Sequence, residues 1–132
     1  MSEHVFQTRV YYEDTDANNI VYYANYLKYT ERARTELLRE IGFESKDAIA
    51  KGEGFVVADL NIQYKASAKL DDIVDVHTRV LEIKPTRIIL EQDIYKGDVR
   101  LTATQISLAY IELEKGIRKI PQELVNLLEG YK

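Results

Sequence analysis

The residues best suited to chemistry lie in one short stretch. From position 12 the chain reads Tyr-Glu-Asp-Thr-Asp-Ala-Asn-Asn-Ile-Val-Tyr-Tyr-Ala-Asn-Tyr, ending at Tyr26. Three acids, Glu13, Asp14 and Asp16, and two asparagines precede an apolar Ile20-Val21, and a helical pattern begins at about Tyr23. The first turn of a helix carries unpaired N–H groups and a partial positive charge. A carbonyl docked there is polarised, and an oxyanion forming on it is stabilised. A carboxylate beside it can attack the carbonyl carbon or activate a water to do so. Asp16 is the candidate carboxylate. An aspartate before a helix also serves as a plain cap or turn former, so the residues alone leave both readings open. Asp14 and Glu13 read as structural or solvated neighbours.

Other chemistries have fewer candidates. The chain has no cysteine, which removes disulfides, Cys nucleophiles and thiolate metal sites. Its two histidines stand outside any motif. His4 is expected at the surface and His77 in mid-strand, and neither is placed as a base. No metal and no cofactor is expected.

The elements that must position Asp16 follow from periodicity. His4 to Tyr12 alternates as a strand, with Phe6, Thr8, Val10 and Tyr12 on one face. The segment Asp14–Asn19 is turn-forming. A helix is predicted from about Tyr23 to Ile41, with Tyr26, Thr30, Ala33, Leu37, Leu38 and Ile41 as its apolar stripe, an Arg32–Glu36 surface pair and Gly42 as its stop. Four strands follow: Val56–Tyr64, Asp72–Ile83 with a bulge near Val80-Leu81, Thr86–Tyr95 and Val99–Leu113. Turns at Lys96-Gly97-Asp98 and Lys115-Gly116 separate or close them, and Pro121 opens a short helix, Gln122–Glu129. Hairpin-length connections imply an antiparallel sheet. One long amphipathic helix must bury its stripe on a face of that sheet. A curved antiparallel sheet wrapped around one long central helix, an α+β architecture, meets both demands. The whole chain, 1–132, reads as a single domain.

Asp and Glu total 22 against 18 Lys and Arg, a net charge of −4. That balance disfavours nucleic acid as the main partner. Neither a signal peptide nor a membrane span is legible, and a cytoplasmic location is expected.

The segment Arg9-Val-Tyr-Tyr-Glu-Asp-Thr-Asp16 resembles the signature of the 4-hydroxybenzoyl-CoA thioesterase family, in particular its YbgC-type (Tol–Pal-associated) acyl-CoA thioesterases. Val-Tyr-Tyr (21–23), Asn25-Tyr26, Glu31-Arg-Ala-Arg-Thr-Glu-Leu-Leu (31–38), Phe55-Val-Val, Tyr64 and Leu70-Asp-Asp72 extend the likeness over most of the chain. The resemblance implies a hotdog fold, dimers whose sheets join edge to edge, often as dimers of dimers (homotetramers), and active sites at the dimer interface. It implies Asp16 as the catalytic acid and the Tyr23 backbone N–H as the carbonyl-polarising donor. Many YbgC-type members carry His at the Tyr23 position, so a helper role for that His is absent here. Ser67-Ala68 stands where Pro-Ala is common, and Ala17-Asn18-Asn19 where glycine is frequent.

The resemblance implies acyl-CoA as substrate, with acyl-carrier protein as an alternative carrier. Tyr22, Asn25 and Tyr26 are substrate-binding candidates. Arg87 joins them, because CoA phosphates call for basic residues at a cleft mouth. Lys65, Lys69, Arg118 and Lys119 are further basic candidates, and Glu31 is a second, less favoured catalytic acid. A non-catalytic acyl-binding or scaffold protein on the same fold is the alternative, since fold does not dictate function. A dehydratase is disfavoured for want of a placed His base.

Overall fold

The computed structural model describes residues 3–43, 48 and 50–132. Among the described residues the chain forms strand β1 (His4–Arg9), helix α1 (Tyr26–Glu40) and strands β2 (Glu53–Tyr64), β3 (Ile73–Ile83), β4 (Arg87–Lys96), β5 (Val99–Glu112) and β6 (Gly116–Ile117). Helix α2 (Gln122–Leu128) closes the order. The sheet is antiparallel throughout, in the order β1-β3-β4-β5-β2, with the short β6 paired back onto β5. The long helix and the curled antiparallel sheet are the expected hotdog fold.

Helix α1 buries Tyr26, Tyr29, Thr30, Ala33 and Leu37 against the sheet. Those positions recur at helical spacing, and each large apolar side chain taken from water contributes about 1.5–3 kcal/mol. The predicted stripe lacked Tyr29, which is fully buried. Gly42, at φ +88°, ends the helix in the left-handed region that glycine enters without strain. The expected Arg32–Glu36 pair is replaced by Arg39 with Glu36, one turn further along.

The core has two apolar halves. Val10, Val21, Tyr26, Tyr29, Ala33, Val74, Val76 and Ile94 pack at the end where α1 begins. Val80, Leu90, Ile106, Leu108, Tyr110, Leu124 and Leu128 pack at the other, under α2. Near the middle of α1 lies a polar belt. The buried Gln92 donates to the Thr30 carbonyl (3.0 Å) and the Thr78 hydroxyl (2.9 Å), and its oxygen accepts from Arg34 (2.9 Å). A buried amide satisfied on both sides is tolerated and holds its neighbours in place.

Several sequence expectations need correction. β1 ends at Arg9 instead of Tyr12, because residues Tyr12–Asp14 tighten into a 3-10 turn. Tyr12 is 79% exposed as a result. The start of the predicted helix is likewise a 3-10 turn, Tyr23–Asn25, before α1 proper. His4 is buried, not superficial: it lies on the inner face of β1 under the Tyr131 ring, with Glu40 3.7 Å away. The bulge in β3 falls where the apolar phase shifts, between Val80 and Glu82.

Burial governs the phenols. The hidden Tyr110 hydroxyl donates to Glu53 (2.9 Å); burial, then the Glu53 bond and charge, push it up to about 12. Tyr29 is also pushed up, by burial first and then by the Asp14 charge. An unfolded phenol ionises near pH 10. Both folded values are raised, so their stabilisation is complete below about pH 10 and is lost as pH climbs through the folded values. An alkaline titration followed by tyrosinate absorbance should therefore show a late step that coincides with loss of far-UV circular dichroism. All phenols titrating together with the fold intact would contradict this.

Candidate active site

The loop before α1 is held by Asp14. Its carboxylate accepts the Tyr11 N–H (2.9 Å), and its carbonyl accepts the Tyr22 N–H (2.9 Å) and the Asn25 side-chain amide (3.0 Å). This buried carboxylate is the loop's structural acid, as expected. Asp16 stands two residues on, at the start of a tight turn. Its N–H donates to the Ile20 carbonyl (2.9 Å) and its carbonyl accepts from Asn19 (3.0 Å). Asn19 takes φ +64°, the conformation asparagine tolerates better than most residues. One oxygen of the Asp16 carboxylate accepts the Asn18 N–H (2.8 Å). The other has no hydrogen-bond partner among the described residues.

The opposite wall is the segment after β2. The Ala68 carbonyl accepts the Val21 N–H (2.9 Å), and the Ala68 N–H donates to the Tyr26 hydroxyl (3.0 Å). Ala68 is fully buried, so both of its backbone groups are satisfied by the helix-start region. The Tyr64 hydroxyl donates to the Tyr23 carbonyl (2.9 Å). The rings of Tyr23 and Tyr26 meet Tyr64 edge-on, at 6.1 and 5.9 Å, and Tyr22 leans on Tyr23 at 4.9 Å. Burial raises the Tyr26 phenol, outweighing the Ala68 amide that would lower it, and burial also raises Tyr64. Both phenols therefore stay neutral as hydrogen-bonding groups at ordinary pH.

Between these walls lies an open cleft of about 310 Å³ lined by Asp16, Ile20, Val21, Tyr22, Tyr23, Tyr26, Tyr64, Lys65, Ala66 and Ser67. The backbone N–H groups of Tyr23 and Ala24 open the helical segment and have no acceptor among the described residues. Asp16, with one carboxylate oxygen unbonded among the described residues, and Tyr23, whose N–H has no acceptor among them, thus belong to one concave site. That combination suits addition to a carbonyl group.

Of the sequence candidates, Asp16, Tyr22, Tyr23 and Tyr26 come together in this cleft. Asn25 is not in its lining; its side chain braces Asp14 instead. Arg87 lies at the far end of the sheet, opposite Ala109 of β5, whereas the cleft borders Tyr64, which is opposite Thr102. Seven residues of strand separate those two levels, roughly 23 Å. Among the basic candidates Lys65 lines the cleft, and Arg118 is engaged by Glu112. Glu31 lines a different cavity, and His77 pairs with Glu3. Tyr64 and Ser67 are cleft residues that the sequence reading did not select. Tyr64 is marked by the family resemblance and by the clean alternation that ends there, though neither assigns it to the site. No cluster of three or more metal-ligating side chains occurs among the described residues, and no helix among them is long and apolar enough to cross a membrane.

Residues 18–103 match the model of the thioesterase superfamily. The chain belongs to that superfamily. An acyl-CoA thioesterase YbgC of Haemophilus influenzae is 42% identical, over 83% of this chain and 82% of the relative. An acyl-CoA thioester hydrolase YbgC of Escherichia coli is 34% identical, over 89% of each chain. Among solved structures, a probable thioesterase from Bartonella henselae superposes with TM-score 0.86 at 34% identity, covering 91% of this chain and all of that one. A gentisyl-coenzyme A thioesterase superposes with TM-score 0.87 at 30% identity, covering 92% and 98%.

The Tyr26 hydroxyl is the acceptor for the buried Ala68 N–H. Tyr26→Phe keeps the ring but strands that amide, at a cost of about 1–3 kcal/mol. Urea unfolding should show a loss of that size, and an unchanged midpoint would remove Tyr26 from the frame of the cleft.

Proposed function

We propose that this chain hydrolyses acyl-CoA thioesters to free acid and CoA, with Asp16 as the catalytic carboxylate and the Tyr23 N–H as the carbonyl-polarising donor. The observation that carries the reading is the shared cleft: Asp16 with one unspent oxygen, and Tyr23 with its acceptor-free N–H at the opening of the helical segment. The names of the relatives support the substrate class.

In this reading the thioester oxygen docks on the Tyr23 N–H. Asp16 then either adds to the carbonyl carbon or takes a proton from water as that water adds. The tetrahedral oxyanion collapses, the C–S bond breaks, and CoA leaves as the thiolate, which takes up a proton. Direct attack leaves an Asp16 acyl anhydride that water opens; general-base attack leaves none. Tyr22 and Tyr26 line the path of the acyl carbonyl, and Lys65 offers a cation to the carrier's phosphates. A phosphopantetheine on an acyl-carrier protein would present the same thioester. Acyl-CoA as substrate fits a cytoplasmic location.

The β2 edge supports association of two copies. This strand is twelve residues long, ends the sheet and exposes Val56, Val57 and Tyr64 along its length. An unpaired edge of that length is a template for another strand, and pairing with a second copy closes it with two-fold symmetry. Dimers, or dimers of dimers, are the expected working form.

Asp16→Asn should lower thiol release from a panel of acyl-CoAs by about a hundredfold or more, with the circular dichroism spectrum unchanged. Retained activity would remove Asp16 from the chemistry, and a wild type that binds acyl-CoA without releasing thiol would make the protein a binding module. A single turnover in ¹⁸O-labelled water separates the two roles. Label entering the enzyme's Asp16 marks direct attack, and label confined to the product acid with no acyl-enzyme trapped by hydroxylamine marks general-base catalysis.

A further inference from the structure

Strand β2 reaches the Asp16 cleft at its Tyr64 end and a separate β2-side cavity, against Glu31, Arg34 and Leu38 of α1, at the other. The Tyr64 end is built on the core of the sheet. Tyr64 lies opposite Thr102 of β5, and the next two amides, Lys65 and Ala66, both donate to the Leu101 carbonyl (2.8 and 3.1 Å). Leu101 and Thr102 are buried. The backbone that carries the Tyr64 side chain is therefore held at that residue and at the two that follow.

That side chain crosses to the opposite wall. Its hydroxyl donates to the Tyr23 carbonyl (2.9 Å), and its ring meets the Tyr23 and Tyr26 rings edge-on. A phenol has one proton to donate, and this one is spent on Tyr23. Tyr64 therefore lines the cleft without an O–H left for a thioester oxygen. What it touches instead is the residue whose N–H is the proposed carbonyl donor.

The backbone around Tyr23 is fixed one peptide plane at a time. The Tyr22 N–H donates to the Asp14 carbonyl (2.9 Å), and the Tyr22 carbonyl accepts the Asn25 N–H (2.8 Å). The second of these bonds orients the plane that carries the Tyr23 N–H. The next plane joins the Tyr23 carbonyl to the Ala24 N–H, and the Tyr64 hydroxyl holds it from across the cleft. Peptide planes are rigid and turn only about φ and ψ, so a residue is pinned when the planes on both sides of its Cα are pinned. We propose that Tyr64 is a positioning residue for the hydrolysis, acting through the Tyr23 carbonyl to keep the Tyr23 N–H aimed at the thioester oxygen. This rests on the thioester-hydrolase reading above and deepens it by tying the carbonyl donor to the sheet. A donor acts most strongly where charge has developed on the oxygen, which is in the transition state. Loss of aim therefore falls on kcat more than on KM.

Tyr64→Phe removes the hydroxyl and keeps the ring against Tyr23 and Tyr26. With the best acyl-CoA of a panel it should lower kcat about tenfold and leave KM within about twofold. An unchanged kcat, or a loss carried by KM alone, would overturn the proposal. Two further measurements separate positioning from plain support of the fold. The hydroxyl bond polarises the Tyr23–Ala24 peptide, so the Tyr23 carbonyl ¹³C and Ala24 amide ¹⁵N resonances should move in the variant while those of α2 stay in place. Resonances of Tyr23 and Ala24 that do not move would overturn it as well. Tyr23→Pro deletes the N–H itself. Tyr22, at φ −61° and ψ 131°, already has the conformation favoured before proline, and proline is tolerated at a first helical position. In that background Tyr64→Phe should cost no further kcat, whereas losses that multiply would show Tyr64 acting elsewhere and sink the idea. Should Tyr23→Pro not fold, the resonances and the split between kcat and KM decide alone. A wild type inert toward all acyl-CoAs would overturn the hydrolase reading and this proposal together; an active wild type with an unaffected Tyr64→Phe variant would overturn this proposal only.

Discussion

Ala68 is the point on which the site turns. It is fully buried, its N–H donates to the Tyr26 hydroxyl and its carbonyl accepts from Val21. Those two bonds tie the segment after β2 to the start of α1 and to the loop that carries Asp16. Neither backbone group can be left unpaired in the core without a penalty comparable to a lost hydrogen bond. The walls of the cleft are therefore fixed relative to each other by the requirements of the core.

The same economy appears in the division between the two aspartates. Asp14 and Asp16 differ by two positions and have separate tasks. Asp14 is buried and spends its carboxylate and carbonyl on Tyr11, Tyr22 and Asn25. Asp16 is half-buried and keeps one oxygen for the cleft. A rigid brace beside a reactive group is a common way to hold a carboxylate in working geometry without occupying it. Beside them, the Tyr26 and Tyr64 phenols stay neutral because burial disfavours their charge.

The polar belt through Gln92 gives the helix a fixed rotation over the sheet. Apolar stripes alone tolerate small sliding, whereas an amide bonded to Thr30, Thr78 and Arg34 does not. It holds the stretch of α1 that faces the β2-side cavity, while Ala68 holds its first turn. The Asp16 cleft and the β2-side cavity are thus positioned by one helix anchored at two levels.

The sequence by itself determined the order of elements, because alternation and helical spacing depend only on which residues meet water. It identified the turn at Gly97 and the phase shift in β3 for the same local reason, whereas Gly116, read as a closing turn, opens the short strand β6. It marked Asp16 as a carboxylate ahead of a helix, and the resemblance carried by residues 9–16 and 21–38 pointed to the chemistry. The tertiary structure alone decided the rest. That His4 is covered by Tyr131, that Asn25 braces Asp14, and that Tyr64 and Lys65 form the second wall are contacts between residues 11 to 127 positions apart. Arg87 looked equivalent to Lys65 as a basic candidate, yet strand register puts it at the opposite end of β5. Periodicity reports which face of an element is buried, and only the packing of elements against each other reports what that face meets.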